Sequence, residues 1–442
     1  MPKKVPFLRK HLSPDASYWR MYRLFQDVPN QRGERTTAVA DALMSGFSLF
    51  ALKDPSLLAF DQRRKQDEHN FQFVFHIGEV PCDTQMREIL DPIDPEQLRP
   101  AYRDLFAQLA QGKVLEQMLF LDDSCLLALD GTEYFSSSQV YCQQCLIKKR
   151  GNGEVVYHHS FLGAVLVYPQ RREVIPLMPE PILRQDGQSK NDCERNALAR
   201  WLVKFRQDHP HLRVIATLDA LYANAPVIGD LRKALVSWII RVKEDDHAFL
   251  FAQVRQRAEA GQVEDFSLVG SDGVHRHFRL ARDLPLNESH PEVRVDFLEE
   301  DEMQGDGQHQ ITLIVDPVLG LCRERAEAVM WGGRSRWKVE NETFNTLKNQ
   351  GYHLEHNYGH GHQNLSVVLA MLMMLAFLVD QTSQLCCSLF TAAWEKCGSK
   401  RALWEGVREI FHRFSVDSMA EIYAALLYGH EKPALQLLGD TS

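Results

Sequence analysis

The sequence predicts an α/β fold, and three observations predict it. Two runs, Leu126-Leu127-Ala128-Leu129 and Val214-Ile215-Ala216-Thr217-Leu218, are almost wholly apolar, as strands buried on both faces of a sheet are. Strand-like and helix-like stretches alternate around them from 121 to 242. Both flanks, 1–120 and 386–442, carry helical spacing instead. At 442 residues the chain is longer than one compact core usually grows, so several units are expected.

Residues 1–120 read as a helical region. Stretch 36–52 has apolar residues at helical spacing, and Asp54-Pro55-Ser56 breaks and caps it. Stretch 71–77 fits a short helix or a strand. Asp83 opens a helix, Asp94-Pro95-Glu96 is a cap with Pro at the first helical position, and a helix follows Pro100 toward 109. Short helices of this kind suit a DNA-binding module or a structural cap on the core.

The first part of the core spans 121–242. Its strand candidates are 126–130, 139–143, 154–168 with a break near Ser160, and 173–178. A helix follows at 190–205, then the strand ending at Asp219, a helix at 226–233 and a strand at 236–242. Residues 243–318 read as a β-rich insertion, with strands at 266–269, 274–280, 293–298 and 311–315 and Asp272-Gly273 as a hairpin turn. The core ends in 319–385. There, 334–348 follows Gly332-Gly333 without Pro or Gly and reads as one helix of about five turns. The apolar stretch 367–379 reads as a buried core helix, too short to cross a membrane. Helices at 400–414 and 416–428, the latter closed by Gly429, make up the C-terminal unit 386–442.

The formal net charge of −9 argues mildly against a nucleic-acid partner, because phosphates are met by Lys and Arg. The basic residues Lys3, Lys4, Arg9 and Lys10 and the run Lys148-Lys149-Arg150 leave room for a local basic groove. The N-terminus lacks an apolar signal-like stretch, so a cytoplasmic protein with reduced thiols is expected of the nine cysteines.

Asp130 and Asp219 each follow an apolar strand, at the rim where a sheet places ligands. Glu340 lies on the 334–348 helix, one turn after Arg336, with Glu342 as its rival. Two rim carboxylates and one helix carboxylate would form an oxygen-rich cage suited to Mg²⁺ or Mn²⁺. These residues also carry a resemblance. Asp130-Gly131-Thr132, Asp219-x-x-Tyr222, and Arg336-Trp337-x-Val339-Glu340 followed by Phe344 and Leu347-Lys348 resemble the motifs of the DDE-type transposases of bacterial insertion sequences, in the insertion-sequence-4 group. The resemblance covers about residues 60 to 380.

It implies a ribonuclease-H-like core. It also implies Asp130, Asp219 and Glu340 as catalytic ligands of two divalent ions, and cleavage at element ends with strand transfer into target DNA. Double-stranded DNA would be the partner, bound by a homodimer with no membrane involved. Arg336 and Lys348 would touch the DNA backbone. Two departures stand out: Gly333 occupies a place where the family often has Tyr, and Lys348 stands eight residues after Glu340 where the family has seven. The alternatives are a transposase-derived regulator without catalysis and a metal-dependent nuclease that joins no strands.

A second ligand type is present. Cys142-x-x-Cys145, with His158-His159 and Cys193, could hold zinc, but one such pair does not specify a four-ligand site, and reduced thiols are the expected state. His356, His360 and His362 lie among glycines, where packing or a DNA contact is expected before a metal.

Overall fold

The computed structural model describes residues 10–30, 37–184, 192–270, 272–304, 307–429 and 436–437. Lys3, Lys4, Arg9 and the expected helix start at Lys190 lie outside the described residues.

The N-terminal region is helical, as expected: α1 (Pro14–Gln26), α2 (Val39–Ala51), α3 (Leu57–Arg64), α4 (Glu68–Phe75), α5 (Asp83–Leu90) and α6 (Arg99–Gln111). Local chemistry sets their starts. Ser13 and Ser56 accept from the backbone N–H groups of Ala16 and Ala59, and Pro14 begins α1 where no backbone donor is needed. Stretch 71–77 resolves as α4, closed by His76 in the left-handed region.

Among the described residues, the core is one sheet of eleven strands: β1 (Cys125–Ser137), β2 (Leu146–Lys149), β3 (Val155–Val167), β4 (Ile175–Pro176), β5 (Glu180–Ile182), β6 (Val214–Leu218), β7 (Ser237–Arg241), β8 (Glu264–Val269), β9 (His275–Asn287), β10 (His290–Gln304) and β11 (Gly307–Val315). The order is β2-β3-β1-β6-β7-β11-β10-β9-β8, with β4 and β5 also on β3. β1 runs antiparallel to β3 and parallel to β6, which runs parallel to β7. Helix α7 (Glu194–Asp208) precedes β6, and α8 (Ala225–Lys233) joins β6 to β7. A mixed sheet flanked by N- and C-terminal helices is an α/β fold. The β-rich stretch hydrogen-bonds into this sheet through β11 and β7. It also holds a helix not expected from sequence, α9 (Ala248–Glu259), which buries only Leu250, Phe251 and Val254 and so shows a weak apolar period.

Three expectations about the core are corrected. Stretch 139–143 is a loop, turned by the Ser137 side chain and by the Cys145 N–H to the Cys142 carbonyl, and the strand starts at Leu146. β3 is unbroken at Ser160; the irregularity falls on β1 between Glu133 and Phe135. Nor is 334–348 one helix. α10 (Arg323–Arg334) already contains Gly332 and Gly333, a π-helical turn covers Val339–Phe344, and α11 (Asn345–Asn349) follows. Those glycines serve close packing rather than a boundary. A Cβ on Gly333 would meet Leu313 at 2.6 Å, and one on Gly332 would meet Ile239 at 3.0 Å.

Helix α12 (Leu365–Cys386) runs well beyond the expected 367–379. It is long and apolar enough by composition to cross a membrane, but 94% of that stretch is buried inside the protein, against α2 among others. Asp91 fixes its start: the carboxylate accepts from the N–H groups of His362, Gln363 and Leu365. Helices α13 (Ser388–Cys397), α14 (Lys400–Arg413) and α15 (Met419–Tyr428) close the chain's helical layer.

Candidate metal centre

β1 and β3 form a long antiparallel arm, and the chain between them makes a loop at 138–145 before the short edge strand β2. Ser137 starts this loop by accepting from the N–H groups of Gln139 and Val140. A turn then brings the Cys145 N–H to the Cys142 carbonyl at 3.3 Å. Both thiols thereby face the sheet, where His159 stands opposite Phe135 in the β1–β3 register. The fourth group, His360, comes from the segment between α11 and α12. Its neighbour Gly361 has φ +66°, and a Cβ there would meet Asp91 Oδ1 at 2.2 Å, so only glycine lets the chain pass this close.

The ligand atoms of Cys142, Cys145, His159 and His360 all lie within 4.8 Å of one another. The sulfurs are 3.8 Å apart. His159 Nε2 is 3.3 Å from Cys142 Sγ and 3.5 Å from Cys145 Sγ, and His360 Nε2 is 3.3 Å from Cys145 Sγ. Tetrahedral zinc, with bonds of ~2.3 Å to sulfur and ~2.0 Å to nitrogen, sets S···S at about 3.8 Å and S···N at about 3.5 Å. The side chains already stand near the edges of that tetrahedron. Cys145, His159 and His360 are buried and Cys142 is half-buried. The Cys142 thiol is held well below the ordinary range, first by its hydrogen bond with Cys145 and then by His159 and His360, while burial opposes. Cys145 is pushed up by the same partner. The Nδ1 atoms of both histidines are buried and meet no acceptor among the described residues, and it is Nε2 that faces the cluster.

The expected oxygen cage is corrected by this cluster. Among the described residues, the group whose atoms converge as metal ligands is Cys/His; Asp130, Asp219 and Glu340 do not form a second. Thiolate and imidazole select a softer ion than Mg²⁺ or Mn²⁺. The expected Mg²⁺ or Mn²⁺ cofactor is thereby overturned. The expected DDE transposase activity, with cleavage and strand transfer by an acidic trio, falls with it. The nuclease reading, which needs the same acidic trio, falls as well.

The predicted acidic residues do come near one another, gathered around Arg336. Arg336 Nη1 lies between Asp130 Oδ2 at 3.0 Å and Glu340 Oε1 at 2.7 Å. Asp130 sits within β1, which continues to Ser137, rather than at a strand end. Asp219 does follow the end of β6, and its side chain accepts from the Leu221 N–H. Glu342 faces Lys338 and Lys400 electrostatically. Lys348 is paired with Glu355 at 2.8 Å. Of the zinc candidates, Cys142, Cys145 and His159 meet, whereas Cys193 is exposed at the start of α7 and His158 pairs with Glu133. His360 replaces Cys193 in the cluster; His356 and His362 are not members.

A scan of protein-family models finds no match to this chain, and no curated protein matches it.

Asp130 has a measurable signature. Burial, and then the hydrogen bond with Glu340, raise its carboxyl to about 7, against the pull of Arg336. A carboxyl raised in the folded state binds more protons folded than unfolded, so its contribution to stability falls as pH rises from about 4 to about 7. Asp130→Asn mimics the protonated form at every pH. Its stability relative to the parent is expected to increase from pH 5 to pH 8 in urea unfolding; a constant difference would refute the shift.

Proposed function

We propose that this chain is a zinc-binding protein whose closed Cys₂His₂ centre fastens the 138–145 loop and the 353–364 segment onto the edge of a ribonuclease-H-like sheet. The observation that carries this is the convergence of four ligand atoms from three stretches of chain, with Cys145 and His360 215 residues apart. The protein supplies all four positions of a tetrahedron, which marks a structural zinc rather than a catalytic one with an open position. The finer fold reading is supported by the antiparallel β3–β1 pair beside parallel β1, β6 and β7, with a helix on each crossover. Kinship with the DDE-type family is proposed on the same ground, as descent and not as activity.

Double-stranded DNA is the partner proposed for it. The centre's loop leads directly into the edge strand β2, where Lys148, Lys149 and Arg150 are exposed on an otherwise acidic chain. Protein produced with zinc and freed of loose metal should carry one ion per chain, and cobalt in its place should show the absorption of a tetrahedral thiolate site. A folded, metal-free chain whose melting is indifferent to zinc would overturn the proposal. Duplex binding by the same preparation should weaken steeply with salt; no binding at low salt would remove the DNA partner alone.

A further inference from the structure

We propose that the Cys₂His₂ centre is a redox-released clasp: peroxide joins Cys142 to Cys145 as a disulfide, expels the metal and frees the 138–145 loop. This rests on reading the centre as a zinc site.

Three features of the geometry carry the inference. The two sulfurs are 3.8 Å apart across a single turn, neighbours already placed to meet as a disulfide bond of ~2.05 Å. Cys142 is the more open of the two. Cys142 is only half-buried, and its neighbours Val140 and Tyr141 are 41% and 62% exposed. A cavity of about 720 Å³, lined by Val140 and His360 among others, adjoins the centre and admits a molecule the size of peroxide.

The third feature is uneven anchoring on the two sides of the metal. In the 138–145 loop Cys142 and Cys145 face the centre, while Ser138, Gln139, Val140, Tyr141 and Gln143 are exposed; its other holds are the Tyr141 ring stacked on Tyr157 at 4.7 Å and the Gln144 carbonyl, which accepts from the Arg184 N–H at 3.3 Å. The segment carrying His360 has other holds. Asp91 takes three of its backbone N–H groups, and the Tyr358 hydroxyl donates to the Asp54 and Tyr352 carbonyls. Loss of the metal therefore loosens the loop and leaves α12 in place.

The chemistry balances with hydrogen peroxide as oxidant. The Cys142 thiolate attacks one peroxide oxygen; an S–O bond forms, the O–O bond breaks and hydroxide leaves. The Cys145 thiolate then attacks Cys142 sulfur; the S–S bond forms, the S–O bond breaks and a second hydroxide leaves. Two thiolates have given up two electrons, and two protons from the buffer turn the hydroxides into water. Zinc has lost both sulfur ligands, and two imidazoles alone hold it weakly. A dithiol reductant reverses the step.

The test uses the full zinc-loaded chain. Its metal content is measured first, then peroxide is added with a chromophoric zinc chelator present. Zinc should appear in step with the loss of two thiols, a Cys142–Cys145 disulfide should be found by peptide mapping, and limited proteolysis should begin to cut within 138–145. Dithiothreitol with added zinc should restore all three readouts. Cys193→Ser, which removes an exposed thiol outside the centre, should behave as the parent does. A chain without zinc before peroxide overturns the zinc reading and this one with it. A chain that keeps its zinc while other thiols oxidise, or releases it without the Cys142–Cys145 disulfide, overturns the clasp alone.

Discussion

Cys145→Ser is expected to abolish stoichiometric zinc. Cys145 is the best-connected member of the centre: its sulfur lies within 3.8 Å of Cys142 Sγ, 3.5 Å of His159 Nε2 and 3.3 Å of His360 Nε2. A serine hydroxyl does not ionise near neutral pH and offers zinc a poor ligand, whereas a thiolate binds it directly. Loss of a partner that merely orients a ligand lowers metal affinity by about 10–100-fold, and loss of a ligand should exceed that. Zinc free at ~100 times its dissociation constant adds about 2.7 kcal/mol to stability, so the variant should also lose zinc-dependent protection against heat. Cys193→Ser should change neither quantity. Competition with a chromophoric chelator reads the affinity, and melting with and without zinc reads the linkage. Near-parental affinity in Cys145→Ser would show that these four residues do not form the site.

The contrast between Cys193 and His360 shows how far the sequence could be read. Cys142, Cys145 and His159 are visible as candidates because they lie within one hairpin, where 17 residues separate the first from the last. The fourth ligand is set by tertiary packing. It comes from 215 residues beyond Cys145, brought in by α12 against α2 and by Asp91 at the start of α12. The local signal was Gly359-His360-Gly361: glycines on both sides of one histidine mark a backbone that must approach another element closely.

The sheet was more legible than the site. Continuous apolar runs give β1 and β6, since strands covered on both faces need nothing else. The 334–348 stretch was less legible. Gly332-Gly333 looks like a helix boundary, but its meaning lies in Leu313 and Ile239 opposite, which no local pattern shows. The Asp130, Asp219 and Glu340 motifs were easy to see, but not that Arg336 would stand between two of their carboxylates.

The largest loss of stability is expected from breaking the Lys53–Asp380 pair. Lys53 ends the chain path out of α2 in the left-handed region, at φ 58°, and its ammonium is fully buried. It donates to Asp380 Oδ2 at 2.6 Å and to the Phe50 carbonyl at 2.9 Å, and lies 4.0 Å and 4.1 Å from the ring centres of Tyr352 and Trp404. The Tyr352 hydroxyl donates to the same carboxylate oxygen. Burial pushes Lys53 down and Asp380 up, and each is restored toward its charged form by the other. Removing one partner leaves a buried charge without compensation, which typically costs about 3–5 kcal/mol. Asp380→Ala and Lys53→Met should each lose that much in urea unfolding, with zinc held saturating so that the metal does not contribute. The double variant should lose much less than the sum, because no unpaired charge remains. Additive losses, or single losses below about 1 kcal/mol, would mean that the pair is not charged in the folded protein.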